Sequence, residues 1–334
     1  SMNDFRHFCL DEQTATTLLH VAHAVTMREA CLLEGETSTA KTSTILYLAA
    51  QLDQPVVRVN LHGQTDTGEL VGRYVPDKAS GGWRWHEGHV LRAMRDGCWL
   101  LFDELNLAEP QILERFNSLL EREPSFVVSE HDGERIATAD IHPNFRIFAT
   151  MNPAEYAGRS SLSPAWRDRF RAHRIVPVPG EGEILAFLEQ GVLGIEPGLF
   201  LSGKMWVPGR TVEAVWGGIA EATGIRPFLR ALARFHVSLE RSLASADGPG
   251  RGRRDRYVVT RRNLISVLDW LGAHGVTERT MREALVRYYL ARIMPADQAH
   301  VIRLLDASGI GPTSWSLEEA PTGDLLTQLE EAAQ

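Results

Sequence analysis

The chain has 334 residues, 44% hydrophobic and 23% charged, with a formal net charge of −8; this length supports about two domains and a sizeable core without covalent staples. The acidic balance argues against a general nucleic-acid coat, which needs clustered Lys and Arg, and the three scattered cysteines Cys9, Cys31 and Cys98 exclude a disulfide framework. No run of about 18 apolar residues marks a membrane helix, and the first residues lack a basic-then-apolar leader pattern, so a cytoplasmic location is expected.

Residues 11–28 carry Leu18, Leu19, Val21, Ala22 and Val25 near one face and predict a helix. A short apolar strand at 29–34 then runs into a loop rich in small residues, and helical periodicity returns from Thr42 to Leu52. Further strands are expected at Val56–Asn60, Trp99–Phe102, Arg146–Thr150 and Arg174–Val176, with a helix from Pro110 to Arg122. Short apolar strands alternating with helices indicate a mostly parallel sheet covered on both faces. Two hairpins interrupt this alternation. One lies within 63–88, around Gly81-Gly82; the other spans 125–136, around Asp132-Gly133. After about residue 180 helices dominate, at 181–193, roughly 210–222, 226–244, 261–273, 278–293 and 297–307. The expected division is therefore a core at 1–180, a helical domain at 181–307 and a tail at 308–334.

The stretch Gly35-Glu36-Thr37-Ser38-Thr39-Ala40-Lys41-Thr42-Ser43 fits the phosphate-loop pattern G-x-x-x-x-G-K-[ST] with one departure, since Ala40 stands where the second glycine is usual. Such a loop wraps backbone N–H groups around phosphate oxygens at a helix N-terminus. Lys41 is placed to reach the β- and γ-phosphates, and the Thr42 hydroxyl to coordinate Mg²⁺. The strand Cys98–Phe102 ends in Asp103-Glu104. Asp103 is placed to hold Mg²⁺, and Glu104 to act as general base on the attacking water. The two motifs, in this order, point to hydrolysis of a nucleoside triphosphate.

Several runs together resemble the dynein-related AAA+ ATPases, with midasin and the bacterial MoxR-type ATPases nearest in pattern. They are Gly35–Leu48, Asn60–Asp66 with Glu69–Gly72, Asp103–Ala108, His142–Arg146, Ala149–Pro153 and Arg167–Phe170. The resemblance covers residues 15–180 well and the helical remainder loosely. It implies a P-loop NTPase sheet sandwiched by helices, followed by an α-helical lid. The two hairpins correspond to the helix-2 insert and the pre-sensor-1 hairpin. Ser38, where many relatives have Gly, is a second departure. Asn152 falls on sensor 1, and Asn60 falls where a polar residue can hold the catalytic Glu away. Arg169 falls on the arginine finger, acting in trans, with Arg167 able to assist or replace it. Arg262 falls on sensor 2, with Arg261 as its rival. The resemblance also implies a self-assembled ring, a hexamer, that hydrolyses ATP with Mg²⁺ to remodel a client protein, and a partner carrying a von Willebrand factor A domain.

Two other readings are a GTP-driven restriction-type motor acting on DNA and a non-hydrolysing nucleotide-gated scaffold. The first is at odds with Met151-Asn152-Pro153-Ala154-Glu155, where that family shows Asn-Thr-Ala-Asp, and with the acidic charge; the second is motivated by Ser38 and Ala40. His86 and His89 are too few for a metal centre. The basic loop Arg251, Arg253, Arg254 and Arg256 reads as a solvated segment, with contact to nucleic acid or an acidic partner as the alternative. Tyr74, Trp83 and Trp85 of the first hairpin are open to two readings: exposed, to grip a polypeptide or pack a neighbour subunit, or packed in a core.

Overall fold

The structure is a computed structural model that describes residues 5–78, 81–153, 162–201, 204–207, 209–245, 248–250 and 257–311. In chain order come α1 (Glu12–Met27), β1 (Cys31–Gly35), α2 (Lys41–Gln51), β2 (Val56–Asn60) and the short α3 (Thr67–Leu70). The hairpin of β3 (Gly72–Pro76) and β4 (Trp83–Glu87) leads to α4 (His89–Asp96), β5 (Trp99–Asp103) and α5 (Pro110–Glu114). A second hairpin, β6 (Phe126–Val128) with β7 (Glu134–Ile136), precedes β8 (Arg146–Met151), α6 (Pro164–Arg167), β9 (Ala172–Val176) and α7 (Glu181–Leu193). A third pairs β10 (Leu199–Leu201) with β11 (Lys204–Val207), and the chain ends in α8 (Ile225–Ala244), α9 (Arg261–His274), α10 (Glu278–Tyr288) and α11 (Pro295–Ser308) among the described residues.

The central sheet has the order β2-β5-β8-β1-β9, with every pairing parallel. Its inner strands β1, β5 and β8 are buried at successive positions because both faces are covered. Leu32, Leu100, Phe102, Ile147 and Ala149 point to one side, where Val90, Leu91 and Met94 of α4 meet them. Cys31, Leu33, Trp99, Leu101 and Phe148, one residue out of phase, point to the other, against Val21 and Ala24 of α1 and Ile45 of α2. Burial pushes the Cys31 thiol up to about 12, which keeps it an inert core group. The order places the C-terminal ends of β1, β5 and β8 side by side, and the chemistry-bearing residues lie at those ends.

The chain divides into two compact units at Val215/Trp216, later than the expected boundary at 180. The helix α7 stays with the first unit, where Gln190 Nε2 donates to the Phe8 carbonyl at 3.0 Å. In the second unit α8 packs with α11 and α9 with α10, as an α-helical body.

Three expected helices differ from the structure; the one expected over 278–293 ends at Tyr288, before a 3-10 turn at Leu290–Arg292. The helix expected to reach Arg122 stops at Glu114, and the chain continues as a 3-10 turn at Asn117–Leu120. That winding brings residues three apart onto one side, and Phe116 and Leu119 both enter the core. Residues 210–222 hold an isolated bridge between Ile195 and Thr211 and a 3-10 turn at Gly217–Ile219 instead of a helix. The paired glycines 217 and 218 each weaken a helix by about 1 kcal/mol relative to alanine.

In the first hairpin Trp83 is 71% exposed, whereas Trp85 is half-buried and stacks on His131 of the second hairpin with ring centroids 4.7 Å apart. The two aromatics thus divide the roles left open by the sequence: Trp85 packs and Trp83 faces solvent. The loop arginines at 251–256, Ala154 and Glu155, and the tail from 312 onward lie outside the described residues.

Candidate nucleotide site

The phosphate loop leaves β1 at Gly35, which lies opposite Val176 of β9. A Cβ at Gly35 would sit 2.5 Å from the Val176 carbonyl oxygen, so only glycine fits. Ser38 (φ 66°) and Ala40 (φ 62°, ψ 16°) both adopt the left-handed region. The position where the consensus wants its second glycine therefore has a glycine-type backbone, and Ala40 adopts it against a steric cost. Ala40 caps α2 without a side-chain acceptor, which leaves the first-turn N–H groups of Lys41, Thr42 and Ser43 suited to an anion.

Lys41 is buried, 8% exposed. Its ammonium donates to the carbonyls of Gly35 (2.8 Å) and Glu36 (2.6 Å) and to Asn152 Oδ1 (2.9 Å). Thr39 Oγ1, 3.4 Å from the ammonium, itself donates to the Glu36 carbonyl and ties the loop together. Thr37 lies in the turn between them, and Ser43 is exposed on α2.

Asp103, at the end of β5, is 6% exposed. Its Oδ1 accepts from Thr42 Oγ1 at 2.9 Å and from Thr150 Oγ1, and its Oδ2 accepts from Arg58 through Nε (3.0 Å) and Nη2. Burial pushes this carboxyl up, but the hydrogen bonds from Thr150, Arg58 and Thr42 and the Arg58 charge outweigh it and hold Asp103 below the usual carboxylate range. Glu104 comes next, in the left-handed region (φ 58°, ψ 43°), which turns its side chain away from the strand direction. Asn152 Nδ2 donates to both of its carboxylate oxygens, at 3.0 and 3.1 Å. The Asn152 amide is thus oriented by its neighbours, with its oxygen on Lys41 and its nitrogen on Glu104. Asn106 Nδ2 pins the Asn152 carbonyl at 2.8 Å.

The structure therefore joins Lys41, Thr42, Asp103, Glu104 and Asn152 in one cluster. Asn60, exposed at the end of β2 and opposite Asp103 in register, makes no hydrogen bond to Glu104; the amide on that carboxylate belongs to Asn152. Arg169 pairs with Glu121, while Arg167 Nη1 lies 4.0 Å from Glu34 Oε2 beside the loop. Arg261 and Arg262 open α9 in the second unit, behind the Thr260 cap, and Arg262 is exposed.

Sequence reasoning missed Arg58, Thr150 and Asn106. The available signal was a polar side chain inside or just after an apolar strand: Arg in Val-Val-Arg-Val-Asn, Thr just before Met-Asn, Asn two residues after Glu104.

The donor set suits a hard cation. Thr42 Oγ1 and Asp103 Oδ1 lie 2.9 Å apart, and Mg²⁺ is held by one or two carboxylates plus phosphate oxygens rather than by an all-protein cage. Among the described residues no group of three or more His, Cys, Asp or Glu is placed to hold a metal ion, and no helix is long and apolar enough to cross a membrane.

A family model described as AAA domain (dynein-related subfamily) matches residues 30–170. Those residues are an AAA ATPase domain of the dynein-related subfamily. The match takes in β1, β2, β5 and β8 of the five-stranded sheet, the phosphate loop, both hairpins before β8 and all five clustered side chains. The AAA domain is similar to midasin from Giardia intestinalis, at 37% identity over 164 residues, 49% of this chain and 3% of that protein. Midasin from Dictyostelium discoideum is 35% identical over 178 residues, 52% of this chain and 3% of that protein. Protein NorQ from Paracoccus denitrificans is 27% identical over 222 residues, covering 64% of this chain and 77% of NorQ. The chain thus spans about 3% of the length of the two midasins it matches and most of that of NorQ.

Proposed function

We propose that the domain hydrolyses ATP to ADP and phosphate with Mg²⁺ at a boundary between subunits of a ring, a hexamer, and that the cycle remodels a client protein. The observation that carries this reading is the linked cluster Lys41–Asn152–Glu104 beside Thr42–Asp103. In it Lys41 and the first-turn N–H groups of α2 bind the phosphates. Thr42 and Asp103 would hold Mg²⁺, which would supply positive charge to offset that of the phosphates. Glu104 takes the proton of the attacking water, and Asn152 orients that carboxylate and the water. Arg169, with Arg167 as its alternative, reaches the γ-phosphate of the neighbouring subunit and stabilises the transferring group. By the resemblance, Arg262, with Arg261 as its rival, takes the sensor-2 role. The likeness to midasin and NorQ supports this, and by the family resemblance the partner carries a von Willebrand factor A domain; the cytoplasm is the default site of action.

The test is subunit mixing. Lys41→Ala abolishes ATP binding, and Arg169→Ala keeps binding but loses turnover; each alone is inactive. Mixed, they form boundaries with an intact Lys41 facing an intact Arg169, and phosphate release returns. No recovery in an assembly shown to contain both subunits overturns the trans arrangement. Glu104→Gln separates binding from chemistry, since it keeps ATP and stalls hydrolysis. Preference for GTP over ATP in the same assay would return the motor reading.

A further inference from the structure

Asp103 is saturated. A carboxylate has about four lone-pair sites; here Thr42 and Thr150 take two on Oδ1, and the Arg58 guanidinium takes Oδ2 through Nε and Nη2. Any cation, or water of its shell, that reaches this carboxylate must displace a donor. Thr150 is buried and carries no charge to be repelled. Thr42 is itself a ligand in the metal site proposed above. Arg58 differs on both counts: it carries a positive charge that a dication repels, and its side chain is 52% exposed, so it can swing into water.

We propose that Arg58 is the resident counter-ion of Asp103 and competes with Mg²⁺ for it, so that it sets the Mg²⁺ concentration at which nucleotide is locked into the site. A buried anion needs a partner at all times. Arg58 supplies it in one state and the metal in the other. Arg58 is thus a positioning residue, acting through Asp103.

This rests on the Mg²⁺ site at Thr42 and Asp103, and the experiment separates the two claims. The full chain is held at saturating ADP in chelator, Mg²⁺ is titrated in, and the melting temperature is read. Wild type gains thermal stability with Mg²⁺, and Asp103→Asn shows a much weaker gain; no gain in wild type sinks the metal site itself. Arg58→Gln reaches half its gain at about tenfold lower Mg²⁺, the scale of one charge-assisted pair at a half-exposed group. Arg58→Lys stays near wild type, and ADP affinity in chelator is the same in all three. A Mg²⁺ requirement that is unchanged or raised in Arg58→Gln overturns the proposal. Weaker ADP binding in chelator also overturns it, because Arg58 would then be a phosphate contact. In the Asp103→Asn background Arg58→Gln has no further effect on the Mg²⁺ midpoint; a persisting tenfold shift there overturns it as well.

Discussion

Replacing Ala40 with glycine should stabilise the first unit while removing a methyl group. Ala40 sits at φ 62°, ψ 16° as the N-cap of α2. The left-handed conformation costs an L-residue about 1–2 kcal/mol. Glycine removes that cost but loses more chain entropy on folding, about 0.4–1 kcal/mol. The net gain is about 0.5–1 kcal/mol, or roughly 1–4 °C in melting temperature for a unit of this size. Ala49 provides the control, because it lies inside α2 and is 1% exposed. There the same exchange costs about 1 kcal/mol of helix propensity, plus the buried methyl. Thermal melts by circular dichroism, without nucleotide, read both variants. Opposite signs are expected. If Ala40→Gly falls in melting temperature as Ala49→Gly does, residue 40 is not left-handed at rest, and the account of how the loop tolerates its departure from consensus is wrong.

The same loop predicts that Gly35→Ala fails, because the new Cβ would lie 2.5 Å from the Val176 carbonyl oxygen, a backbone atom that cannot turn aside; β1 and β9 must separate, and a loss of about 1–3 kcal/mol together with lost ADP protection is expected in melting assays. In the second unit, burial and then the Arg261 charge lower the pKa of His236 to about 3, and its Nδ1 lies 2.8 Å from the Tyr289 hydroxyl. The folded unit therefore stays neutral at His236 while the unfolded chain takes up a proton below about 6.5. Stability tied to this group is complete above that pH and falls by up to about 1.4 kcal/mol per unit as pH drops toward 3. Denaturant titrations from pH 7 to 4.5 should show a shallower fall in His236→Gln than in wild type; parallel curves would mean that His236 does not supply the slope.

Most of the sheet and the nucleotide cluster were legible because apolar strand runs and the residues at their C-terminal ends are contiguous in sequence. Val56–Asn60 and Glu181–Leu193 have the expected bounds. The features that stayed hidden depend on contacts between distant segments. The break after Glu114 comes from Phe116 finding Phe126 and Phe102, which no local period encodes. The β10–β11 hairpin had a local signal, Ser-Gly at 202–203 between apolar runs, but the helical character of the segments beyond residue 224 masks it. Arg58 reads as an ordinary edge-strand cation until β2 is paired with β5 and its guanidinium meets Asp103. Ala40 reads as a defect until its backbone is seen to be left-handed.

Asn152→Asp tests the cluster most directly because it changes one donor and almost no volume. The new carboxylate can still accept from Lys41, now as an ion pair, so the loop stays tied and the fold is kept. The donor to Glu104 is lost, and two carboxylates face each other at about the 3.0 Å now spanned by the amide. Like charges that close cannot both ionise easily, so the pair keeps a proton and its upper pKa rises. Glu104 is then partly protonated near neutral pH and fails as a base, a loss of about 10²-fold or more in turnover. Because the pair's upper pKa is raised, turnover in Asn152→Asp should recover as pH rises. Asn152→Ala removes the donor without adding a charge, so it should lose turnover with no recovery at high pH. Steady-state phosphate release from pH 6 to 9 distinguishes the three proteins. Wild-type turnover in Asn152→Asp at neutral pH would show that the amide between Lys41 and Glu104 does not set the protonation of the base.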